Sequence, residues 1–291
     1  MPTPSATPVS PACAGAPTAR ATDPPVSPAA VGRALADLHA HAPLVHCLTN
    51  HVVAHWTANV LLAVGAQPTM VDNVEEAGPS ARRADALLVN LGTPQESTTA
   101  AMAHAVAAAE RAGTPWVLDP VGVGGLVWRT RTALDLLARH RPTIVRGNAS
   151  EVLALRGGAG GRGPESVDDV ATAIPAADAL AREHAAVVAV SGATDFLTDG
   201  ARALRLANGT PLLTRITGGG CALGALMAAF SAVTPDPLLA ATAATATLTV
   251  AAEHAAARST GPGSFAVALL DDLAALTPTS ASDQVRLEAQ R

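Results

Sequence analysis

ALLVNLGTPQESTTAAMAHAVAAAERAGTPWVLD, residues 86–119, holds two short apolar runs, Ala86–Asn90 and Trp116–Asp119, on either side of a long alanine-rich stretch. The runs have strand length and 94–112 has helix length, so the segment reads as a strand-helix-strand unit. The alternation extends both ways. Upstream, Val31, Leu35 and Leu38 share one helical face, 44–48 reads as a short buried strand, 52–64 as a helix, 68–71 as a strand, and a helix lies near Glu75. Downstream, 143–146 and 186–191 continue the strands. From Gly218 onward the chain reads as helices over 219–232, 237–257 and 263–275, with Gly261-Pro262-Gly263 as a break. This alternation predicts an α/β fold with a mostly parallel central sheet covered by helices, and ligands gathered at the carboxyl ends of its strands. The residues closing those strands, Asn50, Met70, Asn90, Asp119, Arg146 and Ser191, are therefore the ones to examine.

Length and composition narrow the function. At 291 residues one large domain is expected over 29–277. A net charge of -5 with 19 Lys and Arg leaves no basic block of the kind nucleic acid or an anionic membrane demands. Cys13, Cys47 and Cys221 make an odd count with no C-x-x-C spacing, which argues against a disulfide framework or structural zinc and fits a reducing cytoplasm. The longest apolar stretches, 221–233 and 238–252, are cut by Pro235-Asp236-Pro237 or diluted by threonines, short of a membrane span. Residues 1–28, mostly Pro, Ala, Ser and Thr, cannot bury enough surface to offset ordering, so a disordered tail is expected there. A flexible tail is also expected over 278–291. The glycine-rich stretch between Arg156 and Asp168 follows no strand directly and reads as a surface insertion, not a phosphate loop.

The strongest chemical signal is Thr217-Gly218-Gly219-Gly220-Cys221, followed at once by the apolar helical stretch from Ala222 to Phe230. Glycines at a helix start let a ligand approach the backbone, and the first-turn N–H groups carry a partial positive charge, which together make an anion-binding device. Cys221 would stand beside any phosphate held there; the plainer reading is a tightly packed loop with a small core thiol. Asp119, before Pro120-Val121-Gly122-Val123-Gly124-Gly125, would reach the sheet rim as a metal-binding carboxylate or as a cap. Arg146-Gly147-Asn148-Ala149-Ser150-Glu151 delivers a guanidinium fork and a carboxylate within about one and a half turns, for phosphate and magnesium or for a surface ion pair. Ser191-Gly192-Ala193 offers a hydroxyl and amides to a nucleotide phosphate, or forms a simple turn. His46, Thr49, Asn50 and His51 offer a cap or hydrogen bonds to a polar heterocycle. The offsets of His39, His41, His46, His51 and His55 do not repeat on one face with a carboxylate, which argues against a metal site.

These motifs stand in a recognisable order. Leu48-Thr49-Asn50 with Val52-Val53, the block from Thr57 to Ala66, Pro68-Thr69-Met70, Asn90-Leu91-Gly92-Thr93, Leu118-Asp119-Pro120-Val121-Gly122, the Arg146 to Glu151 block and the Thr217 to Cys221 loop follow one another. Through them the chain from about residue 30 to 275 resembles the hydroxyethylthiazole kinase family of the ribokinase-like superfamily. The resemblance implies a ribokinase-like three-layer sandwich. It also implies ATP- and magnesium-dependent phosphorylation of the hydroxyl of 4-methyl-5-(2-hydroxyethyl)thiazole, in thiamine salvage. By the same resemblance Asn50, Met70 and Gly218 would contact the thiazole, Arg146 and Ser191 would hold ATP, and Asp119 and Glu151 would serve magnesium. Gly218, Gly219, Gly220 and Cys221 would form the catalytic loop. The family implies a homotrimer in which the Asn50 and Met70 region of one chain faces the Gly218 to Cys221 loop of another.

Some positions depart from the family pattern: Gly219 stands where threonine is common, His55 where asparagine is frequent, and Gln67 where serine is usual. Cys221 occupies the place where related sugar kinases carry an aspartate base, which leaves open a kinase for another alcohol, such as a hydroxymethylpyrimidine or a sugar, or a non-catalytic binding protein.

Overall fold

A computed structural model describes residues 26–158 and 169–290. The disorder expected over 1–28 falls almost wholly outside this range, as do Cys13 and most of the glycine-rich stretch before Asp168. Ser27 accepts a hydrogen bond from the Ala30 amide and Pro28 occupies the first turn of α1 (Pro28–His41), a cap and start that suit each residue's chemistry.

The remaining elements are β1 (Leu44–Leu48), α2 (Ala54–Ala63), β2 (Gln67–Thr69), α3 (Val74–Arg83), β3 (Ala86–Asn90), α4 (Glu96–Ala112) and β4 (Trp116–Asp119). They continue with α5 (Val127–Arg139), β5 (Ile144–Asn148), α6 (Ala149–Leu155), α7 (Val170–His184), β6 (Val187–Ser191), β7 (Asp195–Thr198) and β8 (Ala203–Leu206). After a 3-10 turn over Pro211–Arg215 come α8 (Gly219–Val233), α9 (Pro237–Arg258), α10 (Pro262–Ala275), α11 (Pro278–Gln284) and β9 (Leu287–Ala289). One sheet joins the strands in the order β2-β1-β3-β4-β5-β6-β7-β8-β9. The first six run parallel, and β7, β8 and β9 form an antiparallel edge.

The pleat sorts the strand residues into two cores, as the period of two demands. Leu87, Val89, Trp116 and Leu118 join α3, α4, α5, α6 and α7 on one side. Ala86, Leu88 and Val117 face α1, α2, α8, α9, α10 and α11 on the other. Helices on both faces make a three-layer sandwich, as the alternation predicts. The middle of α9, from Ala240 to Ala252, is buried despite its threonines, because Thr242, Thr245 and Thr249 donate to the carbonyls of Leu238, Ala241 and Thr245, one turn back.

The C-terminal segment corrects the expectation of a flexible tail over 278–291. α11 packs against α1, and β9 pairs with β8. A polar clasp on α9 holds them: the Glu253 carboxylate accepts from the Gly209 amide (2.7 Å), from Asn208 Nδ2 (3.1 Å) and from the Arg286 guanidinium, while buried Asn208 Oδ1 accepts from the Arg286 amide. Replacing Glu253 with alanine leaves these donors without their anion, for an expected destabilisation of about 1–2 kcal/mol. Hydrogen exchange read by mass spectrometry should show α11 and β9 losing protection first; unchanged protection there would refute the clasp.

Candidate active site

Five parallel strands end side by side at one sheet edge, and each brings one polar residue to it. β3 places Asn90 and β4 places Asp119, adjacent in register. Both are buried, Asp119 with no exposed surface. Asn90 Nδ2 donates to Asp119 Oδ2 at 2.6 Å, and Asn90 Oδ1 accepts from Asn50 Nδ2 and from the Gly92 amide, both at 2.9 Å. Asn50, just past β1, uses its remaining N–H on Cys221 Sγ at 3.5 Å. A continuous relay thus runs Asp119, Asn90, Asn50, Cys221, with every amide orientation set by its partners.

β5 brings Arg146 to the same edge. Its Nη1 reaches Asp119 Oδ1 at 3.5 Å, while Nε and Nη2 donate to Ser191 Oγ at the end of β6, at 3.2 and 2.9 Å. Glu151, in the first turn of α6, closes a capping box with Asn148: its Oε2 accepts from the Asn148 amide and its Oε1 from the Gly122 amide, both at 2.9 Å. Arg146, Asp119 and Glu151 are therefore interior groups and not the surface ion pair that the sequence left open.

The glycine loop packs onto this group from above. Gly218 caps α8 with a φ of +93°, a left-handed conformation that side chains rarely adopt, and a Cβ there would meet Val53 and Trp56 at 2.8 and 2.9 Å. At Gly220 a Cβ would lie 2.5 Å from Arg146 Nη1, so the loop backbone sits directly on the guanidinium. Gly219 and Gly220 form the start of α8, Cys221 follows in the same turn, and their amides lie among the four that a helix N-terminus leaves unpaired.

The electrostatics are those of a site short of positive charge. Burial pushes Asp119 up to about 7, with Glu151 adding repulsion and Arg146 and Asn90 opposing. Asp195, at the start of β7, is likewise raised to about 7 by burial, against the Gly192 amide that donates to its Oδ1 at 2.9 Å. Glu151 is also raised by burial. Burial works against the Arg146 charge, but Asp119, Glu151, Cys221 and Asp195 outweigh it and hold its pKa above the ordinary value. Cys221 is pushed up to about 11, chiefly by burial and then by the Asp119 charge, so the thiol form prevails near neutrality.

Three buried carboxylates facing one buried guanidinium fit a divalent cation brought in with phosphate oxygens. Among the described residues no three His, Cys, Asp or Glu side chains are grouped to cage an ion by themselves, so Asp119 and Glu151 would need phosphate oxygens to complete the shell of a magnesium ion.

The structure gathers Asn50, Asp119, Arg146, Glu151, Ser191, Gly218, Gly219, Gly220 and Cys221 at one edge. Met70 lies just beyond β2 on the outer side of β1, half-buried against the larger core. One implication of the resemblance needs correction: Asn50 meets Cys221 of its own chain, because β1 and α8 are neighbours in one fold. Three contributors escaped sequence reasoning in role. Asn90 was visible as a strand-end residue, but its position at the centre of the relay depends on the β1, β3 and β4 register; Asp195 and Trp56 gave no motif signal. Among the described residues, four buried polar atoms around the β1 to α2 segment lack a partner: His46 Nδ1, Thr49 Oγ1, Trp56 Nε1 and Thr57 Oγ1.

Comparison with known proteins agrees with this geometry. Residues 35–279 match the model of the hydroxyethylthiazole kinase family. A hydroxyethylthiazole kinase of Clavibacter sepedonicus is 56% identical over 254 residues, 87% of this chain and 92% of its own length. The structure of a hydroxyethylthiazole kinase from Pyrococcus horikoshii OT3 superimposes with a TM-score of 0.82 at 38% identity, covering 90% of this chain and 99% of that one. A ribokinase-like superfamily protein from Enterococcus faecalis V583, 11% identical with a TM-score of 0.62 over 87% of this chain and 95% of its own, shares the fold alone. The sandwich is thus ribokinase-like.

The state of Cys221 is open to direct test. With its pKa near 11, Cys221 in the folded protein should react with iodoacetamide at pH 8 about tenfold more slowly than an unperturbed thiol, since fewer thiolates outweigh their greater nucleophilicity. The rate should still be climbing above pH 9. Mass-spectrometric kinetics that plateau below pH 8 would show a thiolate and contradict this environment.

Proposed function

Since the chain belongs to the hydroxyethylthiazole kinase family, we propose that it transfers the terminal phosphate of ATP to the hydroxyl of 4-methyl-5-(2-hydroxyethyl)thiazole, in thiamine biosynthesis or salvage. The observation that carries the reading is the junction of two groups at one sheet edge. Asn50 and Cys221 provide an acceptor side, Arg146 and Ser191 a phosphate side, and the Gly218 to Cys221 backbone joins them.

Phosphoryl transfer passes through a loose transition state, so alignment and charge neutralisation matter more than covalent chemistry. The α8 amides are aimed where charge develops on the transferred group, and being fixed by the fold they need no reorganisation. Arg146, held by Ser191 and Asp119, presents a rigid guanidinium beside that backbone. Cys221, a thiol, positions the alcohol oxygen and contributes little as a base. Asn50 holds the sulfur in place, and its own orientation comes from Asn90. Asp119 and Glu151 are the residues for magnesium, which when bound neutralises phosphate charge and aligns the oxygens.

A homotrimer in a reducing cytoplasm belongs to the same proposal. Val52 and Leu62, at 60% and 58% exposure, put apolar surface beside the segment that holds the four unpartnered polar atoms, which supports a covering subunit or ligand there. Met70 and Gly218 are assigned to the thiazole and Ser191 to the nucleotide on the family's pattern.

The test is ADP release from magnesium ATP with and without the thiazole alcohol, with the phosphorylated product identified by mass. Turnover that depends on the thiazole is expected; none would refute the reading. Within the active protein, Cys221→Ala should lower kcat by about 10- to 100-fold with the thiazole KM little changed, at or below the low end of the roughly 10²–10⁴-fold that a general base supplies. Asp119→Asn should cost about a thousandfold or more, since it weakens both the cation site and the hold on Arg146. A Cys221→Ala variant with no measurable turnover but intact thiazole binding would overturn the modest role of the thiol.

A further inference from the structure

One guanidinium near the phosphate side takes no part in the scheme above. Arg129 lies in the first turn of α5, ten residues past Asp119 along the chain. It stacks over the turn that leaves β4: its Nη1 sits 2.7 Å from where a Cβ on Gly122 would stand. The Gly122 amide donates to Glu151 Oε1, so Arg129 is next to the Glu151 carboxylate and feels its charge. Its only protein acceptor among the described residues is the Val121 carbonyl, at 3.3 Å from Nη1, and it makes no ion pair within 4.0 Å. The side chain is half-buried. Four of the five guanidinium N–H donors are therefore left for something else, at the rim of the edge where Asp119, Glu151 and Arg146 converge. Arg146 holds fewer in reserve, because three of its five N–H donors go to Ser191 and Asp119.

A planar fork partly withdrawn from water, with spare donors in line with two carboxylates that fit a cation, suits an anionic oxygen cluster. We propose that Arg129 is a second phosphate-binding residue, which takes terminal phosphate oxygens of ATP from the Gly122 side while Arg146 and the α8 amides take them from the other. The inference rests on the reading of this edge as an ATP-dependent kinase site. It gives Gly122 a purpose beyond its turn, since a side chain there would push the guanidinium away.

The experiment measures binding of a non-hydrolysable ATP analogue with magnesium, and separately of the thiazole alcohol, by calorimetry on wild type, Arg129→Ala and Arg129→Lys, alongside melting temperatures. For Arg129→Ala we expect analogue affinity to fall about tenfold or more, with thiazole affinity within about twofold of wild type, as loss of one charge-assisted contact predicts. Lysine, which keeps the charge without the fork, should recover part of the loss, and it alone decides the matter if the alanine variant does not fold. Analogue affinity unchanged within about twofold overturns the proposal. So do parallel losses for both ligands with a lowered melting temperature, which would make Arg129 a brace for the Val121 to Gly122 turn. Wild-type turnover is read independently: an absence of thiazole phosphorylation refutes the kinase reading, whereas the analogue titration still decides what Arg129 binds.

Discussion

Asn90 is the residue on which the rest of the site depends. Its amide gives one hydrogen bond to the Asp119 carboxylate and receives two, from Asn50 and from the Gly92 backbone. It can do so because β3 lies between β1 and β4, so its end residue touches the ends of both neighbours. Burial makes the arrangement strict, since an unpaired amide or carboxylate in this interior costs far more than the net worth of the bonds it makes. The Cys221 thiol is thereby linked to the Asp119 carboxylate through two amides that have no freedom to turn.

Charge supplies the second constraint. Asp119, Glu151 and Asp195 crowd one buried guanidinium, and burial raises all three carboxylates above their ordinary values. Such a cluster is costly in the free protein, and a cation bound with phosphate oxygens would relieve it. Glu151 shows how the fold limits that cost: both of its oxygens already accept backbone amides, one of them from the turn that follows Asp119. The glycine loop completes the site because only bare backbone fits between Arg146 and the α8 axis at Gly220, and between Val53 and Trp56 at Gly218.

Much of this was legible in the sequence because the parallel strands are buried on both faces and read as short apolar runs bounded by helices. The helix from 219 and the strands ending at Asn90, Asp119 and Ser191 appear where the pattern places them. The edge hairpin β7 and β8 has four residues per strand and is defined by antiparallel pairing with β6, which no local period announces. β9 depends on a contact across the whole domain, through Glu253 and Arg286, so composition alone made it look like a tail. α5 opens on exposed Val127 and Trp128, with Leu126 exposed just before it, so large apolar residues there do not mark the buried face. In the site, residue types at strand ends were readable, but pairings were not: that Asn50 reaches Cys221 within one chain follows from β1 and α8 packing, not from spacing.

The central claim, that Cys221 acts as a thiol held in place through Asn50 and Asn90, is tested most directly by a double-mutant cycle on kcat/KM using Asn90→Ala, Cys221→Ala and the pair. If the relay holds, Asn90→Ala already removes most of what Cys221 contributes, and the two losses should fall short of additivity by about 1 kcal/mol or more. Losses that add to within about 0.3–0.5 kcal/mol would show that Cys221 works independently of the relay, and would contradict the account.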